Sequence, residues 1–470
     1  MGQSFFPDTV NQTLLFPPSL HDWLPEGHLA RFLVDVVSVL DLDPIYASYG
    51  EKDGRGQSAY APEMMVRLLL YGYAIGVYSS RKIETRTYED VAFRYLAGDQ
   101  HPDHATLAEF RKRHLTALAG LFTQALLLCA KAGLVKLGHV AIDGSKIKAN
   151  ASKHKAMSYR RMTETEARLE QEIKQLLRQA DETDAAEDAQ YGKKRRGDEL
   201  PDELSRRESR LQKIREARQA LEEEAREKSE HERAEAEKKL AEREEEEKRT
   251  GKKKRGRKPR LEGAQADPGK ARPADKAQRN FTDPESRIMP DGANKGSFVQ
   301  AYNAQIAVDS ASQVIVAAEV TQETTDSHQL LAMLAQIEKN LARKPEKASA
   351  DAGYFSEANV THEAVTGIDL YIATGRDKHG DPPEPSIGDA PAGATVLEQM
   401  RHKLRTEAGR AVYKMRKAIV EPVFGQIKER RGFRRFSLRG KQNVASEWRL
   451  VCAAGNLLKL YGSGWTLQTA

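Results

Sequence analysis

The run GHVAIDGSKIK at residues 138–148 decides how this chain of 470 residues folds. Its β-branched Val140 and Ile142 alternate with Ala141 and Asp143, which predicts a β-strand. Further strands are predicted at 298–309, 313–322, 347–353 and 368–374, and helices at 327–342, near 356–365 and at 404–430. This order predicts an α/β fold in which helices cover the faces of a mixed sheet.

The region before this strand, residues 1–135, has the pattern of a compact helical domain. Apolar residues recur at helical spacing in two stretches, 28–40 and 61–80. Residues 87–114 then predict a helix that ends near Gly98, a loop, and a second helix that Thr106 caps. That second helix ends in basic residues that include Arg111 and Arg113. A helix, a turn and a helix with a basic end are equally compatible with contact to DNA and with a bundle that supports the core or pairs two protomers.

A highly charged insertion interrupts the predicted sheet directly after its first strand. Residues 161–250 contain 22 basic and 28 acidic residues, so they predict two exposed helices with a thin apolar seam and a turn near Gly192–Gly197. Their net negative charge favours an arm for protein contact over a clamp for DNA. Residues 251–295, which include the basic block GKKKRGRKPR, are predicted to form a flexible linker.

These patterns divide the chain into consecutive regions. The predicted regions are a helical domain (1–135), the first part of a catalytic core (136–157), a helical hairpin insertion (158–250), a basic linker (251–295), the remainder of the core (296–445), and a C-terminal helix and tail (446–470).

Composition excludes several classes of protein. The chain contains two cysteines, Cys129 and Cys452, far apart in sequence and without partners at metal spacing, which argues against a disulfide scaffold or a zinc site. It contains no run of 18 apolar residues, and its first residues lack the pattern of an export signal. We therefore expect a cytoplasmic protein without a membrane partner.

Three acidic residues occupy positions suited to chemistry. Asp143 is predicted to lie at the end of the first strand, Asp351 at the end of the fourth, and Glu421 inside the last long helix. A single aspartate at a strand end is often only a turn former or a helix cap. Small neighbours such as Gly144, however, leave room for a ligand. Pro422, directly after Glu421, is unusual for a helix that merely carries surface salt bridges.

Three segments around these acids resemble the motifs of the DDE transposases of bacterial insertion sequences. The segments are VAIDGSKIKANAS (140–152), ASADAGYFS (348–356) and YKMRKAIVEPVFGQIKERRGF (413–433). The third is the most specific, because it carries the Tyr, Arg, Glu and Lys of that family branch. HPDHATLAEFRKRH (101–114) is similar to the last part of the InsH-like helical domain that precedes the core in those proteins. The resemblance covers 60–155 and 295–440 and omits the charged insertion.

The resemblance implies a ribonuclease H-like fold and two magnesium ions, for which manganese would substitute. It implies Asp143, Asp351 and Glu421 as catalytic residues and metal ligands, and carboxylates are the hard oxygen donors that magnesium prefers. It also implies that three residues of the last motif contact DNA: Tyr413, Arg416 and Lys428.

Two assignments within the motifs have competitors. Four residues separate Arg416 from Glu421 where the family pattern has three, so Lys417 is an alternative to Arg416. Asp326 competes with Asp351 as the second acid, but its position before an apolar helix predicts that it belongs to the cap of that helix.

The charge distribution indicates further DNA contacts. Residues 401–450 contain 15 Lys and Arg but only 4 Glu, and a local excess of this size is typical of a surface that binds a polyanion. Within it, Arg434 and Arg435 are predicted to contact DNA, as is Lys146 beside the first acid. Phe433 and Phe436 lie among these bases, and core packing is favoured for them over stacking on an unpaired base.

The sequence therefore predicts a metal-dependent DNA transposase that acts on terminal inverted repeats and on target DNA. Because two ends must be held together, a homodimer or a higher assembly on DNA is expected, at the nucleoid of a bacterial cell. The alternative is a catalytically inactive DNA-binding regulator or a decayed transposase, which would keep the basic surfaces without the ion site.

Overall fold

The computed structural model describes residues 19–49, 59–191, 202–251, 267–292, 294, 296–375 and 384–466. These residues form two compact units. The first unit comprises the described parts of 1–147 and 303–470, and the second comprises those of 148–302.

The N-terminal part of the first unit is helical, as the sequence predicts. Its helices are α1 (Leu29–Val39), α2 (Asp43–Tyr46), α3 (Pro62–Ile75), α4 (Ser80–Glu89), α5 (Val91–Ala97), α6 (His104–Arg113) and α7 (Leu115–Lys131). Pro62 opens α3, where a proline costs no hydrogen bond, and Gly98 ends α5 in the left-handed conformation. The prediction that Thr106 caps α6 is wrong. Asp103 caps α6 instead, and its carboxylate accepts the amide hydrogens of Ala105 and Thr106.

A mixed sheet forms the centre of the first unit. Its strands are β1 (His139–Lys148), the second half of β5 (Phe298–Asp309), β6 (Ile315–Thr321), β7 (Lys347–Ala350) and β8 (Asp369–Ile372). The spatial order is β6, β5, β1, β7, β8. β7 runs parallel to both β1 and β8, whereas β5 and β6 are antiparallel. His139 and Ser349, 210 residues apart in sequence, join β1 to β7 through side-chain atoms 2.8 Å apart.

Helices cover this sheet and bury it. α10 (Gln329–Leu341) and α14 (Lys441–Gly462) both pack on β6, which is buried along nearly its whole length. α12 (Val396–Arg405) and α13 (Glu407–Gly425) pack on β8. α14 also packs along α7, so the N-terminal helices share a core with the sheet. The fully buried Trp448 of α14 donates its indole N–H to the backbone oxygen of Gln305 in β5.

Two helix predictions differ from the structure. The predicted helix 404–430 is divided, because Thr406 ends α12 and caps α13, where its hydroxyl accepts the amide hydrogen of Gly409. α13 then passes Pro422 and continues into a π-helical turn, Gln426–Arg430. The predicted helix near 356–365 contains only the short α11 (Glu357–Val360) and a 3₁₀ turn. Local capping explains the first difference, since Thr accepts backbone donors more readily at a helix start than in a helix interior.

The second unit contains the charged insertion and a small sheet. Its two long helices are α8 (Tyr159–Tyr191) and α9 (Asp202–Thr250), as predicted, and the predicted turn near Gly192–Gly197 lies outside the described residues. The helices share one apolar seam, whose most buried members are Met162, Leu169, Ile173, Leu211, Ile214, Ala217 and Leu221. At about 1.5 Å per residue, the 49 residues of α9 span roughly 73 Å.

Part of the predicted flexible linker is ordered, so that prediction is wrong for residues 267–292. β3 (Gln278–Asn280) pairs with β2 (Ala156–Ser158), and β4 (Arg287–Pro290) pairs with the start of β5. Asp283 is fully buried and accepts a hydrogen bond from the Tyr302 hydroxyl at 2.8 Å. The basic block at 252–260 lies outside the described residues.

In the described part of the chain, no single helix has both the length and the apolar composition needed to cross a membrane. The pair α6 and α7, bent by 73°, meets those two criteria together.

Candidate active site

The strand register brings two of the predicted acids level with each other. Ala141 of β1 pairs with Ser349 of the parallel strand β7. Asp143 lies two residues further along, in the middle of β1 and not at its end as predicted, and Asp351 lies directly beyond the end of β7. Neighbouring strands are about 4.8 Å apart, and residues two apart point to the same face of a sheet. The two aspartates therefore lie near each other on adjacent interior strands of the sheet, close enough for the charge of Asp351 to raise the pKa of Asp143.

The Asp143 carboxylate is largely buried and has two partners. One oxygen accepts the amide hydrogen of Gly144 at 2.8 Å, and the other lies 3.3 Å from the Arg416 guanidinium of α13. Burial raises the pKa of Asp143 to about 6, against the lowering effect of Arg416, and the charges of Asp351 and Asp326 raise it further. The site therefore concentrates negative charge in a place where water screens it poorly.

A third carboxylate, that of Asp326, lies in the same cluster. Its Oδ1 accepts hydrogen bonds from the side-chain amides of Asn303 (2.6 Å) and Gln305 (2.7 Å), both on β5, and lies 3.6 Å from the Lys146 ammonium. The prediction that Asp326 belongs to a helix cap is therefore wrong for its side chain. His328 precedes α10, and no side chain caps that helix.

Two glycines allow these carboxylates to approach the backbone. A Cβ atom on Gly144 would lie 2.8 Å from Asp326 Oδ1 and 2.9 Å from Asn303 Oδ1, and closer still to the Gln305 amide nitrogen. A Cβ on Gly353 would lie 3.0 Å from Asp351 Oδ1 and 3.5 Å from Asp326 Oδ2. No larger residue fits at position 144 without displacing the cluster.

The sequence analysis missed the polar residues that support this cluster from β5. Asn303 and Gln305 are fully buried in β5, and the Tyr354 hydroxyl donates to the Gln305 side-chain oxygen. Burial, together with the charges of Asp326, Asp143 and Asp351, holds the pKa of Tyr354 well above its ordinary value. Two amides at positions i and i+2 of a central strand share one face, and that spacing was the available signal.

Two cations from the last motif also contact β1. Arg416 is 7% exposed and lies beneath the ring of Tyr413, with 5.8 Å between the guanidinium carbon and the ring centre. Lys428, in the π-helical turn, donates to the Ser145 hydroxyl. Arg416, and not the alternative Lys417, is the residue that contacts Asp143. Lys417 is exposed.

Glu421 occupies a different position from the two aspartates. Its side chain is exposed on α13 and forms no hydrogen bond or ion pair with the described residues. It lies between Arg416 and Lys428 in sequence, on the segment whose cations contact β1. Within the described ranges, no three His, Cys, Asp or Glu side chains are gathered closely enough to hold a metal ion.

The predicted DNA-contact residues outside the cluster divide into exposed and buried ones. Arg113, Arg434 and Arg435 are exposed, and Arg434 pairs with Glu429. Arg111 is buried, and its guanidinium donates to the Tyr78 backbone oxygen at 3.1 Å. Its contact with DNA stays a prediction.

The aromatic residues of the basic segment are part of the core. Phe433 and Phe436 are each 1% exposed and pack edge to face with ring centres 5.5 Å apart. Core packing, which the sequence favoured for these rings, is confirmed.

Comparison with known protein families supports this description. A family model described as a transposase domain (DUF772) matches residues 18–113, and one described as a transposase DDE domain matches residues 390–461. The second match includes Glu421, whereas Asp143 and Asp351 lie outside both ranges. No significant match was found among curated proteins or among solved structures.

The two matches are consistent with a DDE transposase of an insertion sequence, the class that the motifs predict. A transposase DDE domain implies a ribonuclease H-like fold, which agrees with the mixed sheet and its flanking helices, and transposase domains imply DNA binding.

Proposed function

We propose that this transposase cuts DNA at the ends of an insertion sequence and joins the freed ends to target DNA, in reactions that depend on divalent metal ions. The observation that carries the proposal is the proximity of Asp143, on β1, to Asp351, directly beyond the end of the adjacent parallel strand β7, in a chain that a transposase DDE domain matches at 390–461. The substrates would be the terminal inverted repeats of the element and the target duplex.

The predicted ligands have the donor chemistry that a hard divalent cation needs, although the described residues include no group of three acids already arranged around one ion. Carboxylate oxygens are the ligands that magnesium and manganese prefer, and buried carboxylates that repel each other gain most from a cation between them. We propose that Asp143, Asp351 and Glu421 hold the metal. When bound, divalent ions would supply Lewis-acid stabilisation of the charge that develops on the phosphodiester oxygens during cleavage.

The chain's own cations would position the DNA. Arg416 is fixed by Asp143 and by the Tyr413 ring, and Lys428 is fixed by Ser145, so both present positive charge at a defined distance from the acids. Guanidinium groups hold phosphates in a fixed orientation, which reduces the entropy lost when the reacting groups meet. Lys146 would contribute in the same way from β1.

The exposed arginines provide the less specific part of the binding. Arg434, Arg435 and Arg113 reach solvent, where they can neutralise phosphates along the duplex. Because two element ends must be joined, we propose that the active form is a dimer or a higher assembly on DNA.

Cleavage of DNA that carries the terminal repeats tests the proposal. We expect purified protein to nick this DNA in Mg²⁺ or Mn²⁺, and we expect Asp143→Asn and Asp351→Asn each to lower the rate by at least a hundredfold. Glu338→Gln, an exposed carboxylate on α10, is the matched control and should leave the rate unchanged. Equal inactivity of the unsubstituted protein and both variants, with DNA binding retained, would support a DNA-binding regulator instead.

A further inference from the structure

The segment that carries Lys428 is an irregular part of the last motif. It is the π-helical turn Gln426–Arg430, which follows α13 directly. π-helical turns are rare in proteins and occur frequently at functional sites. From this turn Lys428 donates to the hydroxyl of Ser145, which lies on β1 two residues after Asp143. The path of the turn therefore decides where the Lys428 ammonium lies relative to the first acid.

The N-terminal helices hold the residue that ends this turn, Arg431, through its backbone oxygen. The Tyr78 hydroxyl donates to that oxygen at 2.9 Å. Gly76 ends α3 in the left-handed conformation, with φ 87°, and a Cβ atom there would lie 2.5 Å from the same oxygen. Only glycine combines this backbone conformation with so close an approach. Two residues between α3 and α4 therefore fix the end of the turn.

The side chain of Arg431 joins the same point to α14. Its guanidinium donates to the Val451 backbone oxygen at 3.0 Å, and a Cβ atom on Gly455 would lie 3.2 Å from its Nη2. Arg431 is 6% exposed, and its Nε has no hydrogen-bond partner among the described residues. Because a buried and incompletely paired guanidinium costs free energy, stability alone does not account for this residue, whereas a role in fixing the turn does.

The rings around Tyr78 keep its hydroxyl in place. The Tyr78 ring packs edge to face against Tyr73 and Phe433, with ring centres 5.1 and 5.0 Å apart. Phe433 lies two residues after Arg431, and its amide donates to the backbone oxygen of Ile427, inside the turn, at 3.0 Å. Tyr78 therefore contacts the turn through both its hydroxyl and its ring.

We propose that Tyr78 and Arg431 are positioning residues for DNA cleavage, which hold the π-helical turn so that Lys428 lies against Ser145, beside Asp143. The N-terminal helices thus contribute to the reaction by placing this cation, independently of any contact of their own with DNA. This inference rests on the proposed function, because it concerns the placement of Lys428 at the same site.

A double-mutant cycle of Tyr78→Phe and Lys428→Ala tests the proposal. Tyr78→Phe removes the hydroxyl that holds Arg431 and keeps the ring that packs on Phe433. With saturating DNA, we expect it to lower the cleavage rate by about three- to tenfold, the effect of one lost hydrogen bond, with little change in the DNA concentration that gives half the maximal rate. In the Lys428→Ala protein, which lacks the positioned ammonium, the same substitution should have no further effect.

Tyr461→Phe is the matched control. The Tyr461 hydroxyl, on α14, also donates to a backbone oxygen of the N-terminal region, that of Gly27 at 2.6 Å, so its removal deletes the same kind of bond. This variant should cleave DNA at the unsubstituted rate. An unchanged rate in Tyr78→Phe, or equal losses from Tyr78→Phe with and without Lys428, would overturn the inference and leave the proposed function standing.

Chemical labelling of Lys428 provides a readout that does not require cleavage. Acetic anhydride acetylates accessible lysine amines, and mass spectrometry measures the extent at each residue. Lys428 is half-buried and hydrogen-bonded, whereas Lys414 on α13 is exposed and serves as the internal reference. We expect Tyr78→Phe to increase the labelling of Lys428 relative to Lys414 by about threefold or more, since one hydrogen bond no longer holds the turn.

Unchanged relative labelling of Lys428 would overturn the inference whether or not the protein cleaves DNA. Absence of cleavage by the unsubstituted protein, together with the labelling change, would overturn the proposed function and retain Tyr78 as the residue that holds Lys428 in place.

Discussion

The absence of a side chain at one position is as important to the candidate site as the carboxylates themselves. Gly144 illustrates this, because the acids, the amides and the backbone of β1 meet where its side chain would be. The sequence indicated that small neighbours leave room for a ligand. It did not show that the room is already occupied by Asp326, Asn303 and Gln305, which come from other parts of the chain.

Gly144→Ala should therefore damage both the site and the fold. The added methyl group must displace buried hydrogen-bonded groups, and overpacking of this kind costs about 1–3 kcal/mol of unfolding free energy. Urea unfolding and the cleavage assay would measure the two effects.

Gly120→Ala is the matched control for that substitution. Gly120 lies in the interior of α7, and no atom lies within 4 Å of its added Cβ. Alanine there should stabilise the protein by about 0.5–1 kcal/mol and leave cleavage unchanged. A similar loss of stability in both variants would contradict the packing described around Gly144.

Glu447 is a second residue whose environment has a measurable effect. It is fully buried in α14, where it accepts the amide hydrogens of Ser437 and Leu438 and contacts the Tyr73 hydroxyl. Burial raises the pKa of Glu447, although those amide hydrogens and Arg111 lower it. The native state therefore binds this proton more tightly than the unfolded state does. The associated stability is present below the ordinary glutamate pKa of about 4.3 and is lost as the pH rises through the native value.

Glu447→Gln should remove this dependence on pH. We expect the unfolding free energy of the unsubstituted protein, relative to the variant, to decrease as the pH rises above about 4.3. Chemical unfolding of both proteins across this pH range would measure the difference. A difference that stays constant with pH would show that the burial of Glu447 does not perturb its ionisation.

Among the helices and strands, the sequence predicted those with a clear periodicity of apolar residues. It missed those that depend on contacts with residues elsewhere in the chain. β1, β5 and β6 lie where alternating apolar residues placed them. The division between α12 and α13 depends on one threonine cap, and the strands in 267–292 are short and polar, so neither produces a periodic signal. The proximity of Asp143 to Asp351 depends on the register between β1 and β7, which pattern alone does not provide.

The hairpin of α8 and α9 depends on a narrow apolar seam. Ile214 is 1% exposed within it, so Ile214→Ala should cost about 2–5 kcal/mol and increase hydrogen exchange throughout both helices. Gln212→Ala, on the exposed side of α9, is the control and should change little. Unchanged exchange in α8 after the Ile214 substitution would show that the seam does not hold the helices together.

At the scale of the whole molecule, two regions differ in how their charges are arranged. The described part of the insertion carries many pairs of opposite charge along its helices, whereas the segment from 401 to 450 has a large basic excess. We therefore expect DNA to contact that segment and not the length of the hairpin.

Replacing Arg434 and Arg435 together with alanine should weaken binding to all DNA sequences and lower the slope of log affinity against log salt by roughly one for each lost phosphate contact. Fluorescence anisotropy at several salt concentrations would measure the slope. Lys339 and Arg343, exposed at the end of α10, provide a control pair with equal charge removed. Equal slopes for the two double variants would assign the DNA surface elsewhere.

The distance in sequence between β1 and β7 has a consequence for synthesis. His139 and Ser349 meet across 210 residues, so the first strand leaves the ribosome long before its parallel partner exists. At about 5–20 residues per second, the interval lasts roughly 10 to 40 s. During this time an apolar strand edge remains available to neighbouring chains, so the yield of native protein in the cell should depend on chaperones that shield nascent chains.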